Sequence, residues 1–151
     1  MAIVLQLPAG WRHPLPNEVS QEWRDSSSHR FLRVSADFNG DGVTDEANLL
    51  VKEEGLRVAL FARVSGGGAS QVIMLDELDG LEDFLTMGIE LTPPGEYETA
   101  CGKGYWECAP GEPEVLILKN PAIDYFASES ANSFFLWDVD THSFQRIWIS
   151  D

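Results

Sequence analysis

Four oxygen-bearing side chains recur at short intervals in residues 37–45: Asp37, Asn39, Asp41 and Asp45, in the pattern D-x-N-x-D-G-x-x-D. Alternate residues of a tightly turning loop can aim their side chains at one point, where a hard cation asks for roughly six to eight oxygens. Val43 would add its backbone carbonyl, which leaves its side-chain identity free. Gly42 permits a sharp turn with positive φ, and Gly40 relieves crowding beside it. Three carboxylates brought together without a cation repel one another, so the spacing makes physical sense chiefly as a cation site. Oxygen-only ligation of flexible geometry favours Ca²⁺ over Mg²⁺ and over softer transition metals. The competing reading is an Asn/Asp/Gly-rich hairpin turn that binds nothing, since these residues favour turns on their own account. A plain turn has no need of four oxygen side chains at this spacing.

A second constellation is the cysteine pair. Cys101 and Cys108 enclose Gly-Lys-Gly-Tyr-Trp-Glu. In an oxidising compartment they can close a short loop as a disulfide. Free thiols and a zinc pair are the other readings, and His13, His29 and His142 stand at no metal-ligand spacing from the cysteines. Tyr105 and Trp106 on this loop either make an exposed aromatic contact or fold onto a sheet.

Signs of catalysis are few. There is no G-x-S-x-G, no H-E-x-x-H and no phosphate-binding glycine motif. Ser65-Gly66-Gly67-Gly68 reads as a hairpin turn. A thiol–imidazole pair of either cysteine with His142 would need the fold to assemble it. Acids are too numerous for one pair to stand out as general acid and base. No catalytic residue is assigned.

Charge narrows the partners. The 151-residue chain carries a formal charge of −15. Residues 1–30 balance, with Glu18, Glu22 and Asp25 against Arg12, Arg24 and Arg30. Residues 64–102 contain no Lys, Arg or His but carry Asp76, Glu77, Asp79, Glu82, Asp83, Glu90, Glu96 and Glu98. Such a field repels phosphates and anionic lipid, against nucleic-acid or membrane partners, and attracts cationic proteins or metal ions. Asp76, Glu77, Asp79, Glu82 and Asp83, with Tyr105 and Trp106, form the candidate partner surface. The plainer alternative is that acid keeps a small protein in solution.

The elements that must position these residues are mostly strands. Strand-like runs at 30–36, 47–51, 56–64 and 71–75, divided by the 37–45 loop and by turns at Gly55 and Gly66-Gly67-Gly68, predict a four-strand antiparallel meander. Residues 114–118 and 123–126 read as strands. Residues 133–137 and 144–149 predict a C-terminal hairpin around the turn 138–142. Asn17 can cap a short helix over 18–25, with Val19 and Trp23 on one face. The spacing of Leu78, Leu81, Phe84 and Leu85 predicts a second short helix over 78–87. The expected fold is mainly β with one or two short helices (α+β), in a single domain over 1–151. No apolar run approaches the roughly 18–20 residues a membrane span needs. The apolar opening, residues 1–7, lacks a basic flank and a cleavage site and reads as a first strand; a start that replaces a removed export signal is the other reading.

The stretch Ala36-Asp37-Phe38-Asn39-Gly40-Asp41-Gly42-Val43-Thr44-Asp45, set between strands and lacking the EF-hand glutamate at its twelfth position (Asn48), resembles the calcium loops of FG-GAP and VCBS-type repeats. The resemblance implies ligation by the side chains of Asp37, Asn39, Asp41 and Asp45 and by the Val43 carbonyl. A propeller needs several repeated blades, and one loop without a repeat excludes it. Leu7-Pro8-Ala9-Gly10-Trp11, Ala100-Cys101-Gly102-Lys103-Gly104-Tyr105-Trp106 and the ends Phe135-Leu136-Trp137-Asp138 and Arg146-Ile147-Trp148-Ile149-Ser150-Asp151 look like a group of small, uncharacterised bacterial proteins. That resemblance implies an extracytoplasmic (periplasmic) setting where an export signal precedes the chain, and a cytoplasmic one otherwise.

The expected function is a non-catalytic calcium-binding β domain that engages a cationic protein, as a bacterial immunity or inhibitor protein would. A small extracytoplasmic hydrolase using acids or calcium, and a structural envelope component, are the alternatives.

Overall fold

The structure, a computed structural model, describes residues 7–15, 18, 31–52, 57–66, 69–78, 87–127 and 131–150. Period-two alternation builds the first sheet from β1 (Trp11–Arg12), β2 (Arg33–Ala36), β3 (Asp45–Lys52), β4 (Arg57–Gly66) and β5 (Ala69–Leu78). The strands β2 to β5 pair in chain order and antiparallel, the meander expected of those runs. On the edge of β3 that β2 occupies, β1 pairs further along, with Trp11 opposite Lys52. Ala47, Leu49, Val51, Val58, Leu60 and Ala62 point into the main core, while Leu50, Ala59 and Phe61 point away and are covered by Leu7 and Trp11. Both faces are covered over residues 49–51 of β3 and 58–62 of β4, which is where these two strands run apolar without a break.

The second half of the chain supplies β6 (Met87–Thr92), β7 (Gly95–Glu98), β8 (Val115–Leu118), β9 (Ala122–Ala127), β10 (Asn132–Asp138) and β11 (Ser143–Ser150). A four-stranded sheet runs β11-β10-β9-β6, and β7 pairs with β8 apart from it. The two pairings continue one another: Thr92 lies opposite Ala122, and Gly95 opposite Leu118. Pro93, Pro94 and Pro121 interrupt the ribbon there, because proline brings no N–H to a ladder. Beyond the break, Tyr97, Leu116 and Leu118 lie on Phe134, Ile147 and Ile149, covering the outer face of the second sheet. Its inner face gives Ile89, Ile123, Tyr125 and Phe135 to the same core as Leu49 and Leu60, so the two sheets pack against each other.

The protein is mainly β and antiparallel, and among the described residues it forms neither a closed barrel nor a propeller. The α+β expectation finds no support among the described residues. Most of the first helix (18–25) and the interior of the second (78–87) lie outside them, as does most of the N-terminal segment 1–7. The two ends proposed for the second helix are strand residues: Leu78 pairs with Val58 and Met87 with Ala127. Ladder pairing overrides a local helical spacing at both points.

Candidate metal centre

The turn from β2 into β3 is pinned from below and from the side. Phe38 is fully buried in the main core, edge-on to Phe144 with ring centroids 6.3 Å apart. Asp45, at the start of β3, is 2% exposed. Gly40 and Gly42 adopt φ of +74° and +86°, which residues with a Cβ rarely hold. A Cβ on Gly40 would also come within 3.1 Å of the Asn120 side chain.

The carboxylates are held by donors from the loop itself. The Asp41 and Gly42 amides donate to the two oxygens of Asp37, at 3.1 and 2.7 Å. The Val43 amide donates to Asp41 at 2.9 Å, and the Phe38 amide to Asp45 at 2.9 Å. Ser65, near the end of β4, ties the rest together. Its N–H donates to Asp45 at 2.9 Å, and its carbonyl accepts from Asn39 Nδ2 at 2.6 Å. Its hydroxyl lies 2.7 Å from Asp41 and 3.1 Å from Asp45. A hydroxyl has one proton, so it serves these two carboxylates only in part. The Ser65 hydroxyl, then the Val43 amide, holds the Asp41 carboxyl below its usual value.

Carboxylate oxygens of Asp37, Asp41 and Asp45 thereby come within 4.8 Å of one another. Oxygens bound to a single Ca²⁺ at about 2.3–2.6 Å can stand at most about 5 Å apart, so this spread fits one shared ion. Each oxygen that accepts one hydrogen bond keeps a further lone pair for a cation. Asn39 spends its amide nitrogen on Ser65, which leaves Oδ1 for the loop, 3.4 Å from the Asp41 amide. Val43 is 53% exposed, as suits a residue whose contribution would come from its backbone. Asn48 donates to Glu46 at 2.7 Å within β3, and the loop has no bidentate glutamate.

The cysteines are bonded to each other: Cys101 and Cys108 form a disulfide. No free cysteine remains, so the thiol–imidazole pair with His142 has no nucleophile. The grouping of both sulfurs with Glu112 offers no thiolate to zinc for the same reason. Thr99 braces the loop by donating to the Pro113 carbonyl at 2.7 Å and accepting from the Gly102 amide at 3.1 Å. Lys103 donates to the Ile149 carbonyl at 2.9 Å. Held this way, Tyr105 and Trp106 stand 54% and 37% exposed.

The acidic surface is less free than its sequence suggests. Glu77 pairs with Arg57 at 2.6 Å, and Asp76 lies 3.7 Å from Arg146. That guanidinium stacks 4.3 Å above the Trp148 ring and reaches over Tyr125 and Phe135. Both acids sit on β5, whereas Tyr105 and Trp106 follow β7; Asp79, Glu82 and Asp83 lie outside the described residues. Sequence reasoning missed Ser65 as a binder of the acidic loop, and no local signal marks it, since its partners are far away along the chain. Among the described residues no helix is long and apolar enough to cross a membrane. Compared with family models, curated proteins and solved structures, the chain finds no match.

Proposed function

We propose that this chain is a non-catalytic binding domain whose 37–45 loop holds one Ca²⁺ ion. The observation that carries the reading is the convergence of three carboxylates within 4.8 Å, a spread one calcium ion can bridge. The resemblance of the loop to FG-GAP and VCBS-type calcium loops supports the same ion. Calcium would neutralise the clustered charge and fasten the β2–β3 turn to Ser65. A loop without a bidentate glutamate belongs to the weaker range of such sites, near about 10⁻⁴–10⁻³ M. The disulfide fits an oxidising setting, where calcium is also plentiful. The exposed Tyr105 and Trp106 offer a contact for a protein partner, and the excess of acid favours a cationic one, as for an immunity or inhibitor protein.

The test is thermal unfolding with calcium or chelator. An ion that binds only the folded state adds about 2.7 kcal/mol at a hundredfold excess over its dissociation constant. The melting temperature is expected to rise with calcium in the parent chain and to stay fixed in Asp37→Ala and Asp41→Ala. An unchanged melting temperature in the parent chain contradicts the reading.

A further inference from the structure

The ribbon of β7 and β8 covers the second sheet with one face and leaves the other exposed. Tyr97, Leu116 and Leu118 turn inward onto Phe134, Ile147 and Ile149. Residues directly opposite in a ladder share a face, so Glu96 with Ile117 and Glu98 with Val115 point the other way. Val115 is 50% and Ile117 64% exposed, and both glutamates are exposed. The outer face is therefore two parallel rows, an acidic one along β7 and an aliphatic one along β8. Among the described residues neither glutamate has an ion-pair partner. Lys103 turns to the Ile149 carbonyl, and Lys119 follows the end of β8. Asp76 and Glu77, in contrast, face Arg146 and Arg57. Past Glu98 the ladder continues through the Thr99 amide, which donates to the Glu114 carbonyl at 3.0 Å, into the disulfide loop that carries Tyr105 and Trp106.

The two rows select an occupant. A second copy of this chain brings the same glutamates and a charge of −15, and an anionic membrane or a nucleic acid sets phosphates against them. A wholly apolar partner would strip water from both carboxylates without pairing them. A strand added at either edge of the ribbon would lie beside one row only. A helix laid on the face meets both rows. Side chains two apart on a strand stand about 6.8 Å apart, and those at i and i+4 of a helix about 6 Å, so the spacings match. We propose that the outer face of β7 and β8, continued by Tyr105 and Trp106, docks a cationic amphipathic helix of a partner protein. Its Lys or Arg residues at i and i+4 lie over Glu96 and Glu98, and its aliphatic residues at i+3 and i+7 over Val115 and Ile117. Four side chains make a small contact, and the exposed rings of the covalently closed loop add the aromatic anchors that carry binding energy. The assignment rests on the reading of the chain as a binding domain for a cationic protein and gives that partner a shape and a place.

The probe is a synthetic helical peptide with Lys at i and i+4 beside Leu at i+3 and i+7. Two relatives of equal length serve as comparisons, one with Glu for each Lys and one with Ala for each Leu. Two-dimensional ¹H–¹⁵N NMR of the full oxidised chain, with calcium present, reads the response residue by residue. The Lys-Leu peptide is expected to shift the amides of Glu96, Glu98, Val115 and Ile117 and the Trp106 indole N–H saturably. The Glu relative should be silent, and the Ala relative about tenfold weaker. The double variant Glu96→Gln/Glu98→Gln and the single variant Ile117→Ser should each weaken binding by about three- to tenfold. All three positions are exposed, so the spectrum of the rest of the chain should stay in place. A saturable response centred on Asp76 and Glu77 or on residues 37–45, or one that these variants leave unchanged, overturns the ribbon assignment while the reading of a cationic partner stands. Silence toward all three peptides overturns the assignment outright. Melting with and without calcium, recorded on the same samples, separates the loop: a normal rise beside silent peptides leaves the calcium reading intact, and a ribbon response without any rise removes the calcium reading only.

Discussion

Two loops of this protein solve the same problem by opposite means. The 37–45 loop is a cluster of like charges held by hydrogen bonds, many from backbone amides and several from one serine on a neighbouring strand. The 101–108 loop is closed covalently, braced by Thr99, and carries exposed aromatic rings. On the calcium reading the first should answer to ions and protons, and the second, closed by a disulfide, to reductant. Under that reading the acidic loop's hold should vary with calcium and pH, whereas the aromatic loop is closed covalently by Cys101–Cys108.

The sharpest contrast should come from glycines. A Cβ on Gly102 would lie 2.1 Å from the backbone oxygen of Glu114, an atom that cannot step aside. Gly102→Ala is expected to cost about 3 kcal/mol or more in chemical denaturation. Gly40→Ala meets only the Asn120 side chain and a positive φ, and should cost about 1–2 kcal/mol. A larger loss at Gly40 than at Gly102 would invert the comparison. Next in size is reduction of the disulfide. Its sequence separation of 7 gives a closed loop whose entropy is worth about 2.5 kcal/mol at 25 °C. Reductant should lower stability by about that amount and leave the calcium-induced rise in melting temperature intact. If reduction also abolishes the calcium response, the two loops are not independent.

The smallest effect is expected from Ser65→Ala, which removes one hydroxyl and should cost about 1 kcal/mol without calcium. Its signature is in pH. Donors hold the Asp41 carboxyl below its usual value, so its contribution is present above the unfolded-state pKa and is lost as pH falls through the lowered one. Without the Ser65 hydroxyl, the acid side of calcium affinity should move to higher pH, as calorimetric titration across the acid range would show. An unmoved profile would mean that Ser65 positions the loop without tuning Asp41.

Much of this architecture is legible in the chain, and the limits have physical causes. The runs leading to β2 through β5 announce themselves because alternation and turn residues agree along contiguous stretches. The C-terminal hairpin is equally plain at Phe134, Phe135, Ile147 and Ile149. In contrast, β6 is hidden: Met87 ends a helix-like spacing, and Pro93-Pro94-Gly95 looks like a stop, though β7 begins at that glycine. Its partner β9 lies beyond the disulfide loop, and local periodicity carries no information about so distant a ladder. The acidic loop is readable because its side chains are local, but Ser65 reaches it through strand pairing alone. Likewise, the acids at 76 and 77 look unopposed until the fold brings Arg146 and Arg57 to them.

Calcium binding at this loop requires the carboxylates of Asp37, Asp41 and Asp45 to share one ion. A crystal structure from protein saturated with calcium tests this most directly, with anomalous scattering to mark the metal. A single calcium peak at about 2.3–2.6 Å from oxygens of all three residues is the expected result. Well-ordered carboxylates that keep only their hydrogen bonds to Ser65 and the loop amides, with no metal peak between them, would contradict it.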